Sequence, residues 1–146
     1  MASIGTRELH LDSAVAMNLL DLTLSKGGAV WLRVKGGSME SAVPRGSEVR
    51  VQPLGGTPKS GDVVLAWSRA DRPVLHRVRR VHGNTVLLRG DNMLADDPEV
   101  PVTAVIGLAT HVRVNERTRP VGEHRTQSLR QRWQHLRWRA RRLLAR

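Results

Sequence analysis

The sequence predicts a mainly β fold, a mostly antiparallel sheet with an N-terminal helix before it and a basic amphipathic C-terminal helix after it. Three features of the 146-residue chain carry this. Between residues 29 and 114, apolar residues recur with period two in short runs rich in Val and Leu, bounded by Gly, Pro, Asn or Asp. These runs follow one another too closely for the crossover helices that parallel strands need. At both ends of the chain the period lengthens to that of a helix.

The first helix is expected over 13–25. Asp12 or Ser13 can serve as its N-cap, and Gly27-Gly28 supply the stop. Val15, Leu19 and Leu22, with Leu20 and Leu24, form a broad apolar face expected to pack on the body. Only about 30 residues precede the first strand, too few for a helix-turn-helix domain. Strands are expected over 29–35, 47–52, 62–67, 73–81, 85–89 and 104–114, with turns at Gly55-Gly56, 69–72 and Gly83-Asn84. Residues 1–114 thus form one domain. Residues 115–127 are polar, contain Pro120 and Gly122, and are expected to be a linker. The last element, 128–146, places Leu129, Trp133, Leu136, Ala140, Leu143 and Leu144 on one helical stripe. Arg130, Arg132, Arg137, Arg139, Arg141 and Arg142 flank or oppose it, and Trp138 falls on the polar side.

Charge divides the same way. The net charge of +11 is concentrated in residues 113–146, which hold 11 Arg and 2 Glu. The body before them holds 13 basic and 11 acidic residues, a balance that argues against a nucleic-acid-binding body. The chain has no cysteine, which excludes disulfides, a thiol nucleophile and a cysteine zinc site. No metal or other cofactor is expected. No apolar run approaches the ~20 residues needed to span a bilayer. The N-terminus has no apolar signal-peptide core, so the expected home is the cytoplasm.

Three segments carry candidate chemistry. Gly36-Gly37-Ser38-Met39-Glu40 follows a strand directly, and paired glycines there permit a sharp bend that presents a serine. An ordinary turn serine would look the same. In 74–78, strand alternation puts Val74, His76 and Val78 on one face and Leu75 and Arg77 on the other. A histidine between two valines faces the interior or a cleft wall, either as a packing residue or as a base suited to neutral pH. Arg89-Gly90-Asp91-Asn92 and then Asp96-Asp97-Pro98 are rich in turn formers, and turn chemistry alone would account for them.

In the order Ser, His, Asp, these segments resemble the signal peptidase clan, which includes the self-cleaving phage and SOS repressors. The match is carried by Gly36-Gly37-Ser38-Met39, Gly61-Asp62-Val63-Val64, His76-Arg77-Val78, Gly90-Asp91-Asn92 with Asp97, and a closing Ile106-Gly107 followed by Ala109. It covers about residues 31–114. His76 stands where the bacterial housekeeping enzymes and the repressors have lysine. That is the pattern of the endoplasmic-reticulum and archaeal-type signal peptidases, and the six-residue step from Asp91 to Asp97 is similar to their acidic pair.

The resemblance implies a signal-peptidase-like fold and a serine endopeptidase acting on an extended peptide or precursor protein, with cleavage after a small residue. It implies Ser38 as nucleophile, His76 as base, and Asp97 and Asp91 as supporting acids. Gly36, Gly37 and Met39 are implied at the oxyanion or substrate site, and Arg77 as scaffold paired with one of the acids. Three departures stand beside it. Ser41 occupies a place where the clan usually has Pro, Gly36 a place where signal peptidases often have a Ser hydroxyl donor, and the clan's N-terminal transmembrane anchor is expected to be absent, since no run in the sequence reads as one. A peptide-binding relative with little turnover, and a regulator with a nucleic-acid-binding tail, are the alternatives. The arginine-rich helix 128–146 is expected to touch an anionic membrane surface peripherally, at the inner face.

Overall fold

The computed structural model of the chain describes residues 14–40 and 42–122. The fold is mainly antiparallel β with one N-terminal helix, as expected. Helix 128–146 and the caps Asp12 and Ser13 lie outside the described residues.

Helix α1 spans Ala14–Ser25. Gly27, at φ 79°, reverses the chain, with Gly27 N–H on the Leu24 carbonyl at 2.9 Å and Gly28 N–H on the Thr23 carbonyl at 3.1 Å. That pair of bonds is a Schellman stop, and it needs a residue without a Cβ penalty at positive φ. Met17, Leu20 and Leu24 form the buried stripe, with Ala16 beside them. Leu19 and Leu22, expected on that face, are instead 43% and 51% exposed. At 100° per residue they point away from the stripe centred near Leu20, so the buried face is narrower than the leucine content suggests. Gly107 lets α1 approach the sheet: a Cβ there would meet Val51 Cγ1 at 2.7 Å and Leu24 Cδ1 at 3.0 Å.

The strands are β1 Val30–Arg33, β2 Glu48–Gln52, β3 Val63–Trp67, β4 Pro73–His82, β5 Thr85–Arg89, β6 Val100–Pro101, β7 Val105–Val114 and β8 Arg117–Pro120. A short 3-10 turn, Val102–Ala104, leads into β7. Their order across the sheet is β1-β2-β7-β3-β4-β5-β6, with β8 on β7 and every pair antiparallel. Strand β7 inserts between β2 and β3 and so joins the β1-β2 pair to the β3-β4-β5 meander. The sheet separates two apolar clusters. One holds α1 with Leu32, Met39, Val43, Val49, Leu65 and Val112, and the other holds Val64, Ala66, Val78, Val86, Leu88 and Val100. Central strand β3 feeds both, which is why its sequence is apolar without alternation.

The expected linker 115–127 needs correcting. Asn115 and Glu116, at φ 48° and 64°, make a two-residue hairpin turn, and Arg117–Pro120 returns along β7 from Val114↔Arg117 to His111↔Pro120. Positive φ at both central residues matches strand twist and suits asparagine. The body therefore continues past Val114 to Gly122. All four β8 residues are exposed, so no apolar alternation marks the strand in the sequence. The two-residue β6 is likewise too short to show a period.

Candidate active site

Ser38 lies in the segment joining β1 to β2. The neck of that loop is closed by Val34 N–H on the Ser47 carbonyl at 2.8 Å and Gly46 N–H on the Val34 carbonyl at 2.7 Å. Beyond Ser38 the chain is anchored by Met39 and Val43, both buried, and by the bond from Val43 N–H to the Met39 carbonyl at 2.8 Å. Met39 was expected at the oxyanion or substrate site. Its side chain fills the core, at 1% exposure, and its sulfur accepts the Asp91 N–H at 3.3 Å. An unbranched thioether fills such a gap readily and anchors the chain next to the serine.

His76 sits in β4 opposite Val64 of β3 and is 7% exposed. Its Nε2 is 3.1 Å from Ser38 Oγ. Its Nδ1 contacts Asp97 Oδ2 on the other side of the ring. Asp97 comes from the segment after β5, held by its own N–H on the Leu88 carbonyl at 2.8 Å. Ser38, His76 and Asp97 thus form one continuous chain of contacts drawn from three separate segments. The Asp97 contact favours the proton on Nδ1, which leaves the Nε2 lone pair facing the serine hydroxyl.

Asp91, expected as a second supporting acid, forms no hydrogen bond or ion pair with His76. Its two carboxylate oxygens accept from Arg77 Nε and NH2, each at 2.8 Å. Arg77 also donates to the Gly61 carbonyl at 2.8 Å and the Gly122 carbonyl at 3.1 Å. The guanidinium is 3% exposed and the carboxylate 8%. A buried charge of this kind persists only when paired and hydrogen-bonded, and the two-pronged geometry satisfies most of its donors. The pair ties together the start of β3, the middle of β4, the segment after β5 and the end of β8. It places Arg77 as scaffold and Asp91 as its counter-ion.

Two residues of the Gly-Asp-Asn segment were quoted in the resemblance but given no role of their own. Asn92 donates its backbone N–H to the Ser38 carbonyl at 2.8 Å and its side-chain amide to the Gly37 carbonyl at 3.1 Å. A Cβ on Gly90 would lie 2.7 Å from the Ser38 carbonyl oxygen and 3.1 Å from His76 Nε2. Gly90 is therefore what lets this segment pass beneath serine and histidine. The requirement is visible only once the three segments are juxtaposed.

A cleft of about 730 Å³ opens from Ser38 and His76 along β1 and the start of β4. Gly36, Val34, Lys35, Trp67, Leu75 and Arg72 are among its lining residues, and Leu32 and Leu65 form part of its floor. A Cβ on Gly37 would meet Arg45 NH2 at 3.0 Å and the Glu40 carboxylate at 3.3 Å. Among the described residues, strand β1 pairs only with β2. Among the described residues no helix is long and apolar enough to cross a membrane.

The curled antiparallel sheet, with a serine loop and a histidine strand meeting at one cleft, has the form of the serine peptidase clan of signal peptidases and self-cleaving repressors. The chain belongs to the Peptidase S24-like family, whose model matches residues 2–110. That is a family of serine peptidases, and it also contains members that do not cleave. No curated protein shows significant similarity to the chain.

Proposed function

We propose that the protein is a serine endopeptidase using a Ser38/His76 dyad oriented by Asp97. The observation that carries this is the unbroken sequence of contacts from Ser38 Oγ through the His76 ring to the Asp97 carboxylate. His76 Nε2 accepts the hydroxyl proton as Ser38 Oγ attacks the peptide carbonyl, and Asp97 steadies the imidazolium that forms. The same nitrogen then delivers the proton to the leaving amine, and water releases the acyl group by the reverse steps. Because Gly36 carries no hydroxyl, the oxyanion falls to backbone N–H groups, including that of Ser38. The substrate is an extended peptide laid beside β1 in the cleft, with a small residue before the cut bond. Incubating a diverse peptide library with the protein should yield products that disappear in Ser38→Ala. Cleavage that persists in that variant, or no product at all, would contradict the reading.

Gly36 favours the second reading, a peptide-binding relative with little turnover. A Cβ at this position meets nothing within 4 Å, so a side chain fits. Gly36→Ser should therefore speed cleavage by up to about 10²-fold, the worth of one oxyanion donor. An unchanged rate in a steady-state assay would show that the backbone donors suffice. Gly90→Ala should act in the opposite direction. The backbone carbonyl of Ser38 and the His76 ring must shift to admit the methyl group, and displacement of about 1 Å costs on the order of 10²-fold in turnover. Initial rates on a folded variant check this.

For residues 128–146, which lie outside the described ones, we propose peripheral contact with an anionic lipid surface at the inner membrane face of the cytoplasm. The support is the sequence alone: an apolar stripe flanked by arginines, each worth ~1 kcal/mol near such a surface. Full-length protein should co-sediment with anionic vesicles at low salt. Replacing Arg137, Arg139, Arg141 and Arg142 by Gln should abolish this. Salt-sensitive binding to RNA with none to vesicles would point to nucleic acid instead.

A further inference from the structure

Among the described residues the large exposed apolar side chains are Leu19, Leu22, Met93 and Leu94. The last two are adjacent, 43% and 44% exposed, and lie in the segment that runs beneath the dyad. The backbone at and just before Met93 is held in place. Met93 N–H donates to the Gly90 carbonyl at 2.9 Å, Arg89 Nε donates to the Met93 carbonyl at 3.0 Å, and neighbouring Asn92 is bonded to both Ser38 and Gly37. Met93 Cγ and His76 Nε2 lie 2.7 Å and 3.1 Å from one point, the position a Gly90 Cβ would take, so the methionine side chain and the reactive face of the imidazole are near neighbours. Neither Met93 nor Leu94 lines the cleft along β1 and β4. The dyad thus has the cleft on one side and a fixed apolar lip on another.

We propose that Met93 and Leu94 form the subsite for the residue that follows the cut bond, and that they select an apolar side chain there. This rests on the peptidase reading. His76 Nε2 must hand its proton to the leaving nitrogen, so the leaving residue starts at that atom. With the acyl half of the peptide in the cleft, the leaving half continues over the lip beside His76. An isolated exposed leucine needs no explanation, but two adjacent apolar residues, the first of them beside the general acid, provide contact area where a substrate side chain would be desolvated. Leu94 is the more informative residue, because Met93 also abuts Gly90.

Acyl transfer tests this without a known natural substrate. An activated ester acylates Ser38, releasing its alcohol. The acyl-enzyme is then offered leucinamide or glycinamide in competition with water. The amine attacks the ester carbonyl, His76 takes the amine proton and returns it to Ser38 Oγ, and the product is the acyl amide. Full-length wild-type protein should transfer to leucinamide about tenfold more efficiently than to glycinamide, the scale of discrimination an apolar pocket provides. Leu94→Ser should bring the two to within about twofold, and Leu94→Ile should restore the preference. The ratio is taken on one enzyme, so a general loss of folding or of acylation rate cancels. Acylation with no leucinamide preference in the wild type, or a preference intact in both Leu94→Ser and Met93→Ser, overturns the subsite while leaving the peptidase reading standing. Failure of Ser38 to acylate overturns the peptidase reading, and the subsite with it.

Discussion

Ser38→Ala and His76→Ala should each lower peptide cleavage on the order of 10⁴-fold or more, and the double variant should be no slower than either single one. The reason is geometric. With Ser38 Oγ 3.1 Å from His76 Nε2, the hydroxyl has the imidazole within reach, and removing either partner leaves the other with nothing to do. Neither change should cost much stability. Ser38 sits on a loop anchored by its neighbour Met39, and Ala at position 76 keeps the β4 backbone pairing with Val64. Initial rates, with thermal melts as a control for folding, decide the matter. Near-full activity in His76→Ala would show that another group takes the proton.

Asp97→Asn should lower turnover by about 10³–10⁴-fold, the cost of losing the group that orients and charge-balances the base. Asp96→Asn is the control and should change turnover less than about threefold, a surface substitution away from the site. The two neighbours differ in what they touch. Asp97 contacts His76 Nδ1, whereas Asp96 forms a loose, half-exposed pair with Arg79 at 3.9 Å. An amide at 97 can still accept a hydrogen bond but carries no charge to balance an imidazolium, so the loss should appear in kcat. Equal losses at both positions, or a larger one at 96, would remove Asp97 from its role.

Much of this site was legible in the sequence because strand alternation is a local property. The period across β4 puts His76 with Val78 and Leu75 on the opposite face, and the structure agrees: Val78 is in one apolar cluster and Leu75 packs on the other. The turns at Gly27-Gly28 and Gly83-Asn84 follow from glycine's tolerance of positive φ. What the sequence does not show by itself are surroundings that come from far along the chain. Arg77 lies beside His76, but only the approach of Gly61, Asp91 and Gly122 makes its side of the strand a buried polar site. Leu19 and Leu22 fit an apolar face as well as Leu20 does until the sheet chooses one stripe. Strand β8 is polar throughout, so its pairing with β7 is set by a hairpin turn rather than by hydrophobic pattern. Gly90 reads as a turn glycine, and its closeness to Ser38 and His76 appears only when three segments are brought together.

The central claim is that Ser38 is a nucleophile activated by His76. Labelling of the full-length protein with a serine-directed fluorophosphonate tests it most directly, because the reagent reports the activated hydroxyl without any knowledge of the natural substrate. The adduct should map by mass spectrometry to Ser38, be absent in Ser38→Ala, and form at least about 10²-fold more slowly in His76→Ala, the usual worth of a positioned base. Labelling on a different serine, or at an undiminished rate in His76→Ala, would contradict the dyad.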